Sequence, residues 1–285
     1  MILAVSEKTG ASIRRVCDVL DLPRSSFYHA ARKTPTQVSD ADLGDLVEEI
    51  FHAHRRRYGY RRIARELNAQ GEVCAAARIR RIMREKGLKA LQPRSFRPTT
   101  SDGRADAPSP NLVLARGLPS VPDQIWAGDI TYIRSAMGWI YLAVVIDLCT
   151  RRLVGWSVAD NMRSTLVVDA LNKALDARPR FEGRVFHSDR GSQYGSRLFR
   201  SLLDAEKIDQ SMSAKANPYD NAWSESVIGT IKRELIGDGQ FEDINDARTA
   251  LFEYIDGYYN TSRRHSSLGY LSPSEFENEI LSQQK

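Results

Sequence analysis

The stretch WAGDITYIRSAMGWIYLAVVID, residues 126–147, decides how the rest of the chain is read. Ile125–Arg134 has the composition of a β-strand, Ser135–Gly138 that of a turn, and Trp139–Leu148 is strongly apolar and rich in β-branched residues. Two strands around a four-residue turn make a hairpin in which Asp129 lies opposite Val144 and Asp147 opposite Trp126. Side chains alternate between the two faces of a strand, so the two aspartates point to opposite faces. A slip of one residue would exchange them. Aspartate is disfavoured inside a strand, and a carboxylate there needs a partner or a metal. Asp129 is therefore a candidate site residue, and Asp147 reads as a turn or polar-edge residue.

Toward the C-terminus, Leu153–Val158 adds a third antiparallel strand. Thr165–Ala177 reads as a helix, Arg184–Ser188 as a strand, Ser196–Glu206 as a helix, Ile208–Ser213 as a strand, and Asn221–Ile236 and Asp243–Tyr258 as helices. Strands followed by alternating helix and strand predict an α/β fold, a mixed five-stranded sheet with helices on both faces. Asp189 follows the fourth strand in HSDRGSQY, where Gly191 and Gly195 allow the backbone to approach a ligand. The carboxyl end of a strand is where open α/β sheets bind. Glu225 lies on a helix in DNAWSES. Taken singly, each acid reads equally as a cap, turn or surface charge, as do Asp169 and Asp220. His187 points the same way as Asp189 and reads either as a site contact or as a hydrogen-bonded structural histidine. Trp126, Trp139, Trp156 and Trp223 read as core rather than stacking platforms, with Trp223 the best exception.

Toward the N-terminus, six of the 11 prolines fall between Pro93 and Pro122, which marks 93–123 as a linker. Before it the pattern is helical: Ser12–Leu20 and Arg24–Ala31 form a candidate helix-turn-helix within residues 1–36. Residues 37–92 carry three more helices, of which Tyr60–Gln70 and Ala75–Lys86 flank a turn containing Gly71. The last bears Arg78, Arg80, Arg81 and Arg84, as a recognition helix would. The 285 residues carry a net charge of +5. Residues 1–104 carry +9 and the remainder −4, a polyanion-binding front ahead of a different back. No apolar run is long enough to span a membrane. The N-terminus has no secretory signature, and three scattered cysteines imply no disulfide framework. A cytoplasmic protein is expected.

Trp126-x-x-Asp129, then His187-Ser188-Asp189-Arg190-Gly191, then Asn221-Ala222-Trp223-Ser224-Glu225, with 35 residues between the last two acids, resemble the acidic blocks of retroviral-integrase-like DDE transposases. The tail from Tyr258 through Arg263, His265 and Gly269 to Pro273, and the Tyr58–Arg62 and Gly87–Leu88 segments, resemble the second-frame product (OrfB) of bacterial insertion sequences of family three. The resemblance covers roughly Leu43 to Phe276. It implies an RNase H-like catalytic core (124–262), an upstream helix-turn-helix domain (37–92) and a C-terminal tail (263–285). It further implies metal-dependent cleavage at the 3′ ends of an element followed by strand transfer. Asp129, Asp189 and Glu225 would hold two Mg²⁺ or Mn²⁺ ions. Lys232, seven residues after Glu225 on the same helical face, would hold a phosphate.

Further phosphate contacts are expected from Arg61, Arg62, Arg78, Arg80, Arg81, Arg84, Arg263 and His187. Double-stranded DNA, at least a second copy of the chain, and an upstream OrfA product or a fusion with it are the implied partners. His52, His54 and Cys74 lack the spacing of a zinc site, so no zinc is expected. The rival readings are a plain RNase H-like nuclease and a catalytically silent DNA-binding regulator.

Overall fold

The computed structural model describes residues 9–20, 39–92, 109–213, 222–237 and 239–283. The chain divides into two compact units, one of Met1–Arg55 with Ile63–Lys89, the other of Arg56–Arg62 with Ala90–Lys285.

The first unit is helical. Helix α1 spans Ile13–Val19, capped by Ser12. The second half of the candidate helix-turn-helix, Arg24–Ala31, lies outside the described residues. Helix α2 (Asp40–Ala53) starts at Ser39, whose hydroxyl accepts the Asp42 amide at 3.1 Å, a side-chain cap for an otherwise orphaned donor. Helices α3 (Tyr60–Ala69) and α4 (Ala76–Glu85) are separated by a turn in which Gly71 takes φ +95°. Leu43 and Val47 of α2, Ile63 and Leu67 of α3, and Ile79 and Ile82 of α4 are buried. The arginines of α4 fall between these apolar positions, as the 3.6-residue period requires.

The second unit is built on a five-stranded sheet. Strands β1 (Ile125–Ser135), β2 (Gly138–Asp147) and β3 (Leu153–Ala159) are antiparallel neighbours. Helix α5 (Leu112–Arg116) precedes them, and α6 (Ser164–Ala177) follows. Then come β4 (Val185–Ser188), the short α7 (Ser192–Gly195), α8 (Arg197–Ala205) and β5 (Asp209–Met212). The strand order is β3-β2-β1-β4-β5, with β4 parallel to β1 and β5 parallel to β4. Helix α9 (Ala222–Ile231) continues as a π-helical turn, Lys232–Ile236. Helix α10 (Ile244–Tyr254) likewise passes into a π turn, Ile255–Tyr259, and α11 spans Pro273–Gln283.

The hairpin register is the one expected: Asp129 pairs with Val144 and Trp126 with Asp147. Asp147 is fully buried on the face away from Asp129. It accepts the Asp123 amide at 3.0 Å, the Thr150 amide at 2.9 Å and the Thr150 hydroxyl at 2.6 Å, so it organises the β2–β3 turn rather than lying at a polar edge. One sheet face buries Trp126, Val145 and Phe186 against Leu166, Ala170 and Phe199 of α6 and α8. The other buries Ile133, Ile140 and Val144 against Val227, Ile231 and Leu251 of α9 and α10. Strand β3 lies so close to α6 that a Cβ on Gly155 would come within 2.3 Å of the Ala170 carbonyl oxygen. Neither is a flexible side chain that can give way. Gly155→Ala is expected to cost about 2–3 kcal/mol, read as a lower thermal midpoint of the full chain.

Two segments differ from the sequence expectation. Residues 109–123 are not a linker. Val113 packs with Ile125, Ala127, Leu148 and Val185, and Leu112 donates its amide to the Ser211 hydroxyl at 2.9 Å. Asp123 is buried and receives Arg178 at 2.7–3.0 Å. The prolines that suggested a linker are compatible with a short helix whose amides need few partners. The described part of the expected tail, residues 263–283, is likewise packed: Arg263 is buried, and Glu277 of α11 is buried in ion pairs with Arg152 and Arg178.

Candidate active site

Strands β1 and β4 pair in parallel with Ile125 opposite Val185 and Ala127 opposite His187. Two residues beyond the last pair lie Asp129 and, just past the end of β4, Asp189, whose charge reaches the Asp129 carboxyl. Each aspartate is held by a local backbone amide: Ile130 N donates to Asp129 Oδ1 at 2.8 Å, and Gly191 N to Asp189 Oδ1 at 2.9 Å. Gly128, one residue before Asp129, faces the opposite side of β1. A Cβ there would lie 2.5 Å from the Phe186 ring, so glycine lets that ring and Tyr194 pack directly beneath the strand. Desolvation pushes the Asp129 carboxyl up to about 8, reinforced by the charges of Asp189 and Glu225 and opposed by Lys232.

Glu225 lies in the first turn of α9, on the sheet face that Asp129 shares. Its carboxyl is exposed but raised by partial desolvation. Lys232 opens the π turn at the end of that helix. Its ammonium lies 4.7 Å above the Tyr132 ring and is lowered by desolvation, with Asp129 opposing the shift. Asp129, Asp189 and Lys232 thus share one electrostatic neighbourhood, and Glu225 reaches it more weakly. Among the described residues no three His, Cys, Asp or Glu side chains come within reach of a single ion. The donor set nevertheless fits a hard divalent cation: the three acids offer only carboxylate oxygens, and Asp129 is burdened by two like charges that a cation would relieve.

Residues 119–218 and 206–273 match family models of the integrase core domain, and residues 38–96 match an HTH-like domain. Over 246 residues the chain is 39% identical to the transposase for insertion sequence element IS904 of Lactococcus lactis, which covers 86% of this chain and 97% of that one. It is 39% identical over 274 residues to transposase InsF of insertion sequence IS3A from Escherichia coli, covering 95% of each. The chain belongs to the transposase family of IS3-type insertion sequences. Among solved structures, the HTLV-2 integrase catalytic core domain in its trimeric form is 19% identical, covers 57% of this chain and 99% of that one, and superposes with a TM-score of 0.43.

In this transposase the residues expected to touch DNA fall into three groups. His187 is fully buried, its ring nitrogens 2.8 Å from the Ser211 hydroxyl and 3.2 Å from that of Ser213. It ties β4 to β5 and is corrected from DNA contact to structural residue. Arg263 is buried too, and its guanidinium donates to both oxygens of Glu234 at 2.7 and 2.8 Å. Arg62 is half-buried, 3.7 Å from the same carboxylate. Both guanidiniums are drawn to Glu234, and Arg263 is too deeply buried to be presented to a phosphate. Arg61 is exposed and lies over the Tyr60 ring. On α4, Arg78 and Arg81 are drawn to Asp40, whose carboxyl they hold below the usual range, while Arg80 and Arg84 are exposed.

Sequence reasoning missed Glu234. Its side chain is 1% exposed and also accepts the Tyr254 hydroxyl at 2.9 Å, and its carbonyl accepts Arg57 Nε at 3.1 Å. The signal was present as Arg62 and Arg263 in the two family-like segments, but nothing local tied them to an acid. Of the tryptophans, Trp126 and Trp156 are buried as expected, whereas Trp139 is 52% exposed.

Proposed function

We propose that this transposase cuts DNA at the 3′ ends of its element and joins the freed ends to target DNA. The supporting observation is the half-buried Asp129 in the middle of β1, whose carboxyl feels the charges of Asp189, just past the end of β4, and of Lys232. Asp129, Asp189 and Glu225 would hold two Mg²⁺ or Mn²⁺ ions, which when bound acidify the attacking hydroxyl and stabilise the departing oxygen. The Ile130 and Gly191 amides orient the two aspartates. Lys232 binds the phosphate flanking the scissile bond, and its π turn sets the angle at which the ammonium enters the site. Asp129 must surrender its proton for cation binding, so activity rises as the pH approaches 8. The helical unit, with Arg80 and Arg84 exposed on α4, grips the terminal repeats. Capturing two ends requires at least two copies, and an OrfA product or a fusion with it would complete the working enzyme. The protein acts in the cytoplasm, on nucleoid DNA. No helix among the described residues is long and apolar enough to cross a membrane.

A strand-transfer assay on duplex carrying the element's terminal repeat, with Mg²⁺, tests the reading. Joined product is expected from the native chain, and a loss of at least about 10³-fold from Asp189→Asn. Cleavage with no joined product would reduce the protein to a nuclease. Undiminished transposition by Asp189→Asn in cells would make it a regulator.

A further inference from the structure

The β1–β2 hairpin carries a face that this chemistry leaves unused. Tyr132 lies opposite Tyr141 and Arg134 opposite Trp139, and alternation puts all four on one side of the sheet. Nearer the sheet's centre that side is covered by α6 and α8, with Ile130 and Tyr141 the last hairpin residues packed against the covered core. Beyond them Arg134 is exposed and Trp139 keeps 52% of its surface in solvent, a large apolar expanse for one side chain. The indole is nevertheless held in place: its ring meets that of Tyr132 edge-on, 5.1 Å between centroids at 87°. Lys232 is 4.7 Å over the Tyr132 ring and also feels the charge of Asp129. Tyr132 follows Asp129 by three residues, about 10 Å along an extended strand. The odd spacing puts Tyr132 on the sheet face opposite Asp129, and Lys232, which meets the Tyr132 ring and feels the Asp129 charge, ties the aromatic pair to the site.

We propose that Trp139, buttressed edge-on by Tyr132, is a stacking platform for an unpaired nucleobase next to the phosphate held at Lys232. The proposal rests on the DNA-cutting reading above. A base pulled out of its duplex loses its neighbours, and an aromatic face restores the stacking whichever base it is. The flanking cations, Lys232 and Arg134, match the phosphodiester that accompanies such a base and give an uncharged apolar partner nothing to pair with. Trp139 is in this view a binding residue that favours a frayed or single-stranded flank over intact duplex.

The test uses the full-length chain and two probes: a blunt duplex, and the same duplex with a single-stranded oligothymidine tail whose first base is 2-aminopurine. The native chain is expected to bind the tailed probe more tightly than the blunt one and to quench its fluorescence. Trp139→Ala is expected to weaken tailed binding about tenfold, to abolish the quench and to leave blunt binding within about twofold, with Trp139→Phe restoring most of the loss. Equal weakening on both probes, or an unchanged quench in Trp139→Ala, overturns the platform. A shift in the oligomeric state of DNA-free Trp139→Ala with both probes unaffected also overturns it and makes the face a contact between copies. Failure of the native chain to bind either probe would instead fault the DNA-cutting reading itself.

Discussion

Asp129→Asn is expected to abolish strand transfer and, in the absence of divalent cations, to make the protein more stable. The loss of activity follows from removing the carboxylate at the centre of the site; at least about 10³-fold is expected. The gain in stability follows from the raised carboxyl. Its ordinary value of 3.8 rises to about 8 in the folded chain. Between those values the folded state keeps a proton that the unfolded state has released, so stability falls as the pH rises toward 8 and levels off above it. Asparagine carries no such liability. The advantage is absent near pH 4, grows through neutrality and reaches on the order of 2 kcal/mol by pH 8 after allowance for partial solvent access. That corresponds to about 4–8 °C in melting temperature. Thermal melts of both proteins with a chelator, across this pH range, give the measurement. Added Mg²⁺ should raise the native midpoint at pH 8 and leave that of the variant nearly unmoved. A variant no more stable than the native chain at pH 8 would mean that Asp129 is not under strain.

Glu234→Ala carries the largest structural cost. Among the described residues the Glu234 carboxylate is the acid that pairs with Arg263; it also faces Arg62, and these guanidinium groups hold it below the usual carboxylate range despite burial. Because its carboxyl is lowered, its contribution is present above pH 4.5 and fades as acid protonates it. Burial, reinforced by the Arg263 and Arg62 charges, pushes His265 down to about 2, so the adjacent imidazole stays neutral and supplies no second cation. Truncating Glu234 leaves Arg263 charged, buried and unpaired, at a cost of about 3–5 kcal/mol, a fall of roughly 10 °C or more in melting temperature. The paired replacement Glu234→Met with Arg263→Met should recover much of the loss, since an apolar pair of similar volume does not strand a charge. A single truncation costing less than about 1 kcal/mol would show that the cluster is solvated rather than buried.

What could be read from the chain and what could not divide along physical lines. The hairpin register was legible because a four-residue turn and alternation together leave one pairing that buries Val144 and Ile146. The alternation of strands and helices from Leu153 onward was legible for the same local reason. The burial of Arg263 was not, because its counter-charge lies 29 residues earlier in the chain and a basic run looks the same whether it meets a phosphate or a glutamate. Residues 109–123 were misread because proline content speaks of backbone donors and not of Val113 seated between β1 and β4. Trp139 was misread because the apolar pattern of β2 continues past the point where the helix layer stops.

The segment Arg56–Arg62 has a consequence for how the protein is made. Arg57 lies over the Tyr254 and Tyr258 rings, and Tyr58, fully buried, donates to the Ser262 carbonyl at 3.1 Å and accepts the Arg264 amide at 2.8 Å. On a ribosome adding about 5–20 residues per second, these early side chains wait on the order of 10–40 s for their partners. A chain released before Arg263 can complete its sheet but lacks the Arg264 amide that Tyr58 accepts and the Arg263 guanidinium that Glu234 accepts. Closure of this cluster is therefore a late folding event that waits for residues 254–264 to be made.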